Sequence, residues 1–184
     1  MRVFIAIDLE PGLKTTLLAL IRDLKATRAD VRWTQAAGLH LTLKFLGEID
    51  EAQAVRVKTI LTDVAGRHSP FPLHLEGTGA FPGDEKPRVL WIGFTAEPEL
   101  LALQDELDGA LEGEGFAREK RTFKPHLTLG RVKGPDRIRD AMLELGKHRQ
   151  KAFGGMTVRK VALFESRLRP EGAEYRVIFE AGLS

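Results

Sequence analysis

The tetrad His40-Leu41-Thr42-Leu43 recurs along the chain as His126-Leu127-Thr128-Leu129, at an offset of 126 − 40 = 86 residues. Residues 2–7 (RVFIAI) resemble residues 88–93 (RVLWIG), and their offset is again 88 − 2 = 86 residues. Two separate matches at one offset indicate an internal duplication. Each copy begins with an apolar strand and later carries one tetrad.

The residues between these matches predict corresponding helices in the two copies. Pro11 and Pro98 each follow an apolar strand and suit the first turn of a helix. Asp50 is a suitable N-cap for a helix after the first tetrad, and Gly66 is a suitable end for that helix. Apolar residues recur at helical spacing in four segments: Leu13, Leu17, Leu20, Ile21 and Leu24; Ala54, Val57, Leu61 and Val64; Leu100, Leu103, Leu107 and Leu111; Ile138, Ala141, Met142 and Leu145.

Each half is therefore predicted to run strand–helix–strand–helix–strand. The last strands of the two halves are expected at residues 73–81 and 158–168, with a closing strand at residues 174–180. This pattern predicts an α+β fold with two lobes of antiparallel sheet related by a pseudo-twofold axis. Helices should lie outside, and the strands should meet at a central cleft. We expect one bilobal domain over residues 1–184.

Composition restricts the class of protein. The 184 residues have a formal net charge of +2 and no cysteine, which excludes disulfides, thiolate nucleophiles and cysteine metal sites. No apolar run approaches the roughly 20 residues of a membrane-spanning helix. The first strand is short and interrupted by Asp8, unlike a signal peptide. We expect a cytoplasmic protein with no membrane partner, and the net charge alone does not indicate a nucleic-acid partner.

The two tetrads predict a site for acid–base chemistry. In a strand, His40 and Thr42 share one face while the leucines face the core, and His126 and Thr128 do the same. Symmetry then brings two imidazoles and two hydroxyls to one cleft. One neutral histidine can take a proton from an attacking water, a protonated one can donate to a leaving oxygen, and the hydroxyls can bind phosphate oxygens. This chemistry requires neither metal nor cofactor.

Two other interpretations of the histidines compete with this one. A lone histidine in a strand is more often structural, but two copies at matched positions favour function. Two histidines alone make a poor zinc site, because zinc usually takes three or four protein ligands. The remaining histidines are expected to have ordinary roles: His74 facing solvent, His68 in a loop and His148 near a helix end.

These motifs resemble those of the 2H phosphoesterase superfamily, and specifically its RNA 2′,3′-cyclic phosphodiesterases, also called 2′-5′ RNA ligases. The resembling stretches span nearly the whole chain: residues 2–7, 39–47, 87–91, 123–131 and 163–166. The resemblance implies hydrolysis of an RNA 2′,3′-cyclic phosphate end to a 2′-phosphate, with weak ATP-independent 2′-5′ ligation in reverse. It also implies that His40 is the proton donor, that His126 is the proton acceptor, and that Thr42 and Thr128 bind phosphate. The residues alone leave the donor and acceptor roles open.

Further contacts to RNA are expected around the tetrads. The resemblance implies a substrate role for Arg131, although a regular strand would place it on the face opposite His126. Phe45 and Phe123 are candidates for stacking on a base or for the core. Arg121 and its neighbour Lys120 are candidates for contact with the RNA backbone. A monomer is expected. Two alternatives stay open: an RNA-end binding module without catalysis, and a 2H esterase for a small cyclic nucleotide or a 2′-5′ oligonucleotide.

Overall fold

A computed structural model describes residues 1–170 and 172–184. The predicted α+β class is confirmed, with helices packed on antiparallel sheets. The elements in chain order are β1 (Arg2–Asp8), α1 (Pro11–Lys25), β2 (Val31–Trp33), a 3₁₀ turn (Ala36–Gly38), β3 (His40–Glu48), α2 (Glu51–Ala65), β4 (Phe71–Phe81), β5 (Val89–Phe94), α3 (Pro98–Glu112), β6 (His126–Val132), α4 (Ile138–Gly146), β7 (Ala152–Val158), β8 (Lys160–Arg169) and β9 (Gly172–Gly182). Among these elements no helix has both the length and the apolar character required to cross a membrane.

The two lobes exchange strands between the halves of the chain. One sheet, called sheet A, has the order β3-β1-β8-β9, and the other, sheet B, has the order β2-β6-β5-β4-β7. The duplicated strands β1 and β3 pair in sheet A as β5 and β6 pair in sheet B. The strand added beside β1 is β8 from the second half, and the strand added beside β5 is β4 from the first half. Because each sheet needs both halves, we propose that residues 1–184 form a single domain.

The helices follow the predicted pattern closely. Pro11 and Pro98 lie in the first turns of α1 and α3, and the apolar residues predicted for α1, α2 and α3 are all buried. The carboxylate of Asp50 accepts a hydrogen bond from the backbone N–H of Gln53 at 2.7 Å, and the Gln53 side chain accepts one from the Asp50 N–H at 3.0 Å. This reciprocal cap explains why α2 begins directly after the strand that carries the first tetrad.

Two strands of sheet B differ from the expectation. β2 was not predicted because it has only three residues and pairs only with β6 at the edge of the sheet. The strand expected at residues 158–168 is β8 of sheet A, whereas β7 was not predicted and contains Gly154 and Gly155. A Cβ on Gly155 would lie 2.8 Å from the carbonyl oxygen of Leu73 in β4. Close approach between β7 and β4 thus requires a glycine, which sequence reasoning takes as a strand breaker.

Candidate active site

Both tetrads end in a β-bulge at the same position. In sheet A, Ile5 pairs with Lys44 and the next residue pairs with Thr42, so Leu43 has no partner of its own. In sheet B, the pairing with β5 likewise steps from Gly130 to Thr128 and skips Leu129. The bulged leucines are 129 − 43 = 86 residues apart. Strands β3 and β6, which carry the tetrads, contact each other where the two sheets meet.

The bulge in β3 decides which side chains lie beside the first histidine. His40, Thr42 and Phe45 pair with alternate residues of β1, so all three point to the same face of sheet A. Lys44 points to the opposite face, into the core, where it is buried. We call the face of each sheet that carries its histidine and threonine the cleft face.

The bulge in β6 corrects the expected direction of Arg131. A regular strand would place Arg131 on the face opposite His126. His126, Thr128 and Arg131 instead pair with alternate residues of β5, namely Gly93, Trp91 and Val89, and so share the cleft face. The extra residue at the bulge shifts the alternation by one. Arg131 is exposed there, at the position that corresponds to Phe45 in sheet A.

His40 lies within a group of aromatic side chains on sheet A. Its ring centroid is 4.8 Å from that of Phe4, 5.2 Å from that of Phe164 and 5.3 Å from that of Tyr175. Its Nδ1 is buried and forms no hydrogen bond of good geometry with any described residue. A histidine in this setting resists protonation, because an imidazolium would be poorly solvated.

Burial lowers the pKa of His40 from 6.5 to about 4. The carboxylate of Asp8 and the backbone of Ala37 act in the opposite direction and raise the pKa, while the ammonium of Lys14 lowers it further. Asp8 and Lys14 also bind each other at 2.8 Å, which weakens the effect of either charge on the imidazole. In the free protein at neutral pH, His40 is therefore uncharged.

We expect NMR titration of the His40 imidazole to give a midpoint near pH 4 in the free protein. A bound nucleoside 2′-monophosphate should raise this midpoint, since its negative charge favours the imidazolium. The imidazole of His40 binds a proton more tightly in the unfolded chain than in the folded protein. Its contribution to the free energy of unfolding is therefore fully present above about pH 6.5 and is lost as the pH falls towards 4. Because the pKa of His40 is lowered to about 4, the free energy of unfolding should fall by roughly 3 kcal/mol over this range of pH.

His40→Asn is the matched control for this titration, because it should remove the corresponding part of the pH dependence of unfolding. A free-protein midpoint near 6.5, or a midpoint that does not respond to the bound monophosphate, would show that the aromatic group does not exclude water from His40.

His126 is held by the backbone that precedes it. Its Nδ1 lies 2.6 Å from the carbonyl oxygen of Lys124. A carbonyl oxygen only accepts hydrogen bonds, so Nδ1 must carry the hydrogen and the neutral ring must present the lone pair of Nε2. The ring of Phe81 meets His126 edge to face at 5.0 Å between centroids. In the neutral ring, Nε2 is therefore the nitrogen with a free lone pair.

The other predicted site residues lie in three different environments. Thr42 and Thr128 are half-buried on the cleft faces, and neither hydroxyl takes part in a hydrogen bond between described residues. Phe45 is 70% exposed and packs beside Phe4, at 5.7 Å between ring centroids. Phe123 is half-buried against the main core, and Arg121 is exposed in the loop before β6.

Sequence reasoning missed most of the aromatic surface of the cleft. Phe4 and Tyr175 lie beside His40, and Phe81 and Trp91 lie on the cleft face of sheet B. The signal was present in β1, whose residues 3–7 are apolar on both faces, unlike a strand with one face in solvent. The indole of Trp91 lies over Gly79, where a Cβ would come within 2.3 Å of the ring.

In the part of the chain that the structure describes, no three His, Asp or Glu side chains come together as a candidate cluster.

The sequence profile of the 2′-5′ RNA ligase superfamily matches residues 13–169. The chain belongs to the 2′-5′ RNA ligase superfamily. This superfamily member is 37% identical to an RNA 2′,3′-cyclic phosphodiesterase of Methanothermobacter thermautotrophicus, over 95% of this chain and 94% of that protein. It is 36% identical to an RNA 2′,3′-cyclic phosphodiesterase of Archaeoglobus fulgidus, over 96% of this chain and 97% of that protein.

This superfamily member has the same fold as several proteins of known structure. The protein TT0787 of Thermus thermophilus matches with a TM-score of 0.82 and 30% identity, over 100% of this chain and 98% of that one. E. coli LigT complexed with 3′-AMP matches with a TM-score of 0.78 and 25% identity, over 100% of this chain and 98% of that one. The predicted relationship to this superfamily and the predicted bilobal architecture are therefore confirmed.

Proposed function

We propose that this protein hydrolyses 2′,3′-cyclic phosphate ends of RNA to 2′-phosphates, with His40 and His126 as its acid–base pair and without a metal ion. The relatives named RNA 2′,3′-cyclic phosphodiesterase support the general activity. The observation that carries the mechanism is the matched placement of the two tetrads. Regular alternation puts the histidine and threonine of each tetrad on the cleft face of its sheet, on strands that contact each other, and equivalent bulges bring Phe45 and Arg131 to the same faces.

His126 is the general base in this proposal. Its Nδ1 hydrogen is committed to the Lys124 carbonyl, which leaves Nε2 free to take a proton from water as the water attacks phosphorus. The bond between phosphorus and the ribose 3′ oxygen then breaks. The phosphate remains on the 2′ oxygen, and the 3′ oxygen leaves with a proton.

His40 is the general acid that supplies this proton. The free protein holds His40 neutral, because burial lowers its pKa to about 4. A bound cyclic phosphate brings a negative charge to the cleft face and raises the pKa of His40. His40 thus gains its proton when substrate arrives, while the orientation of His126 depends on the backbone alone. This difference favours the donor and acceptor roles that the family resemblance implies.

The surrounding residues bind the substrate. The hydroxyls of Thr42 and Thr128 are positioned to donate hydrogen bonds to the non-bridging phosphate oxygens, where charge develops. The guanidinium of Arg131 adds a positive charge on the same face, and Phe45 offers an exposed ring to the terminal base. Arg121 contacts the RNA backbone. Phe123 is the weaker candidate for stacking, because it packs against the core.

The same site can join RNA ends if a 5′-hydroxyl takes the place of water, which forms a 2′-5′ bond without ATP. The proposal includes this ligation as a weak activity. It also includes a monomeric protein that acts in the cytoplasm on RNA and needs no cofactor.

We expect the wild-type protein to convert a short RNA with a 2′,3′-cyclic phosphate end to the 2′-phosphate product in the presence of EDTA. Because both proton transfers are assigned to histidines, chelation of metals should leave the rate unchanged. Ring opening is read by mass spectrometry as the gain of one water, and chromatography against 2′-phosphate and 3′-phosphate standards identifies the product. His74→Ala is a matched control, since His74 is an exposed histidine outside both tetrads whose ring binds the Glu97 carboxylate.

Complete loss of turnover with EDTA and its return with a divalent cation would contradict the metal-free mechanism. Tight RNA binding without turnover at any pH would support the binding module instead. Turnover of mononucleoside cyclic phosphates but not of RNA ends would indicate a small-nucleotide esterase.

A further inference from the structure

A buried ion pair lies directly behind the first tetrad. The bulge at Leu43 turns Lys44 into the core, where it is 8% exposed, and its ammonium binds the carboxylate of Asp108 from α3, which is 4% exposed. Neither residue belongs to the acid–base site. Burial of two charges is costly, and apolar residues of similar size often stabilise a core as well or better. The pair therefore needs an explanation other than core stability.

Both partners also bind the backbone of the loop that precedes β6. The Lys44 ammonium donates a hydrogen bond to the carbonyl oxygen of Ala117 at 2.6 Å. The second carboxylate oxygen of Asp108 accepts one from the backbone N–H of Glu119 at 3.0 Å. Between them, Arg118 binds Asp105 and comes within 3.8 Å of Asp108. Three consecutive loop residues are thus anchored to the ion pair and to α3.

Residues 117–125, here called the basic loop, have little other backbone support, and within them Phe123 packs against the main core. Over residues 117–124, no backbone–backbone hydrogen bond to another described residue is present, and the next backbone anchor is the Pro125 carbonyl, which accepts from Phe94 at 3.0 Å. The basic loop exposes Lys120, Arg121 and Lys124. Within residues 1–170 and 172–184, none of these three cations forms an ion pair. They remain available for a polyanion beside His126.

We propose that the Lys44–Asp108 pair is a positioning device for RNA binding, which holds the basic loop so that its cations meet the RNA backbone next to the cleft. This inference rests on the proposed function and adds the residues that set the affinity for RNA over small cyclic nucleotides. Lys44 and Asp108 touch no substrate and act through the loop. The pair also links the tetrad strand of sheet A to the segment that enters the tetrad strand of sheet B.

The orientation of His126 should not depend on this pair. Its Lys124 carbonyl is adjacent to Pro125, which Phe94 holds independently of residues 117–119. Loss of the pair should therefore raise KM for RNA and leave kcat nearly unchanged. A merely structural role would lower the amount of active protein without such a split.

The test uses the double variant Lys44→Met with Asp108→Leu, which removes both anchors without leaving a lone buried charge. Glu119→Pro is a second variant that deletes the N–H donated to Asp108, and Glu119→Ala is its control, because it loses the same carboxylate, which accepts from the Arg121 N–H, but keeps the Glu119 N–H. Val57→Ala, a core truncation in α2, is the control for general destabilisation.

Two measurements are made on each variant. The rate of limited trypsin cleavage at Lys120 and Arg121 reports how often the basic loop opens. KM and kcat are measured on an RNA end and on a mononucleoside 2′,3′-cyclic phosphate.

We expect the first two variants to be cut in the basic loop at least about tenfold faster than wild type, since local opening controls cleavage. KM for RNA should rise about tenfold, and the slope of log KM against log salt should weaken by about 0.7 for each lost phosphate contact. Val57→Ala should show neither effect. Unchanged loop cleavage in the double variant would overturn the positioning role whatever the activity, and faster cleavage with unchanged RNA affinity would overturn its link to RNA.

The same measurements distinguish failure of the proposed function from failure of the proposed role of the ion pair. A wild type without turnover would refute the enzyme, while loop cleavage and salt-dependent binding of an RNA with a 2′-phosphate end would still report on the ion pair. Equal loss of kcat on both substrates would instead assign Lys44 and Asp108 to the support of His126.

Discussion

Replacing His126 by alanine is expected to lower kcat for an RNA cyclic phosphate end by about 10²–10⁴-fold, the usual contribution of a general acid–base group. The expectation follows from the hydrogen bond between Nδ1 and the Lys124 carbonyl, which leaves Nε2 as a proton acceptor. KM should change little, because phosphate binding is assigned to the threonines and Arg131. Single-turnover hydrolysis at several pH values separates the chemical step from product release.

His126→Asn sharpens this measurement, since an amide can still donate to the Lys124 carbonyl but cannot accept a proton at neutral pH. We expect it to be as inactive as the alanine variant. His74→Ala should retain wild-type turnover. A His126→Asn protein with full activity would remove His126 from the mechanism and leave its orientation as a structural feature of the strand.

The elements of this fold could be predicted from sequence because the signals were local. Pro11 and Asp50 mark helix starts, and the buried faces of α1, α2 and α3 repeat at helical spacing. The partners of the strands could not be predicted in this way. Periodicity identifies β4 and β8 as strands, but nothing local indicates that each joins the sheet of the other half.

The candidate site was predictable to the same extent. The shared face of His40 with Thr42, and of His126 with Thr128, could be predicted because alternation within a tetrad is local and the duplication supplied the pairing. Arg131 was assigned to the wrong face because the bulge at Leu129 depends on pairing with β5. The lowered pKa of His40 arises from burial beside Phe164 and Tyr175, which are distant in sequence and reach β3 through the exchanged strand β8 and its neighbour β9.

The residues that follow the two bulges make the duplicated site asymmetric. In each strand, the residue after the bulged leucine faces the core, and the residue after that faces the cleft. In sheet A these residues are Lys44 and Phe45, and in sheet B they are Gly130 and Arg131. One cleft face therefore gained an aromatic ring and the other a guanidinium, while the core position gained a buried cation only in sheet A. A symmetric scaffold thus presents different groups on its two cleft faces.

Replacing Lys44 alone by methionine is expected to lower the free energy of unfolding by about 3–5 kcal/mol, as is typical when one partner of a buried ion pair is removed. The carboxylate of Asp108 would be left buried with only the Glu119 N–H and the more distant Arg118. The double variant with Asp108→Leu should recover most of this loss, because no buried charge remains uncompensated. Urea unfolding of the two single variants and the double variant gives the coupling free energy.

The exposed pair between Lys160 and Glu180 is the matched control, since it lies on sheet A but in solvent. Lys160→Met should cost no more than about 1 kcal/mol. If Lys44→Met were equally mild, the carboxylate of Asp108 would have to reach solvent in that variant. If the double variant were as unstable as Lys44→Met, the loss would come from the unpaired backbone of the basic loop and not from the lone charge. That outcome would show that the ion pair stabilises the protein by holding residues 117–119 in place. We propose that it supports RNA binding in the same way.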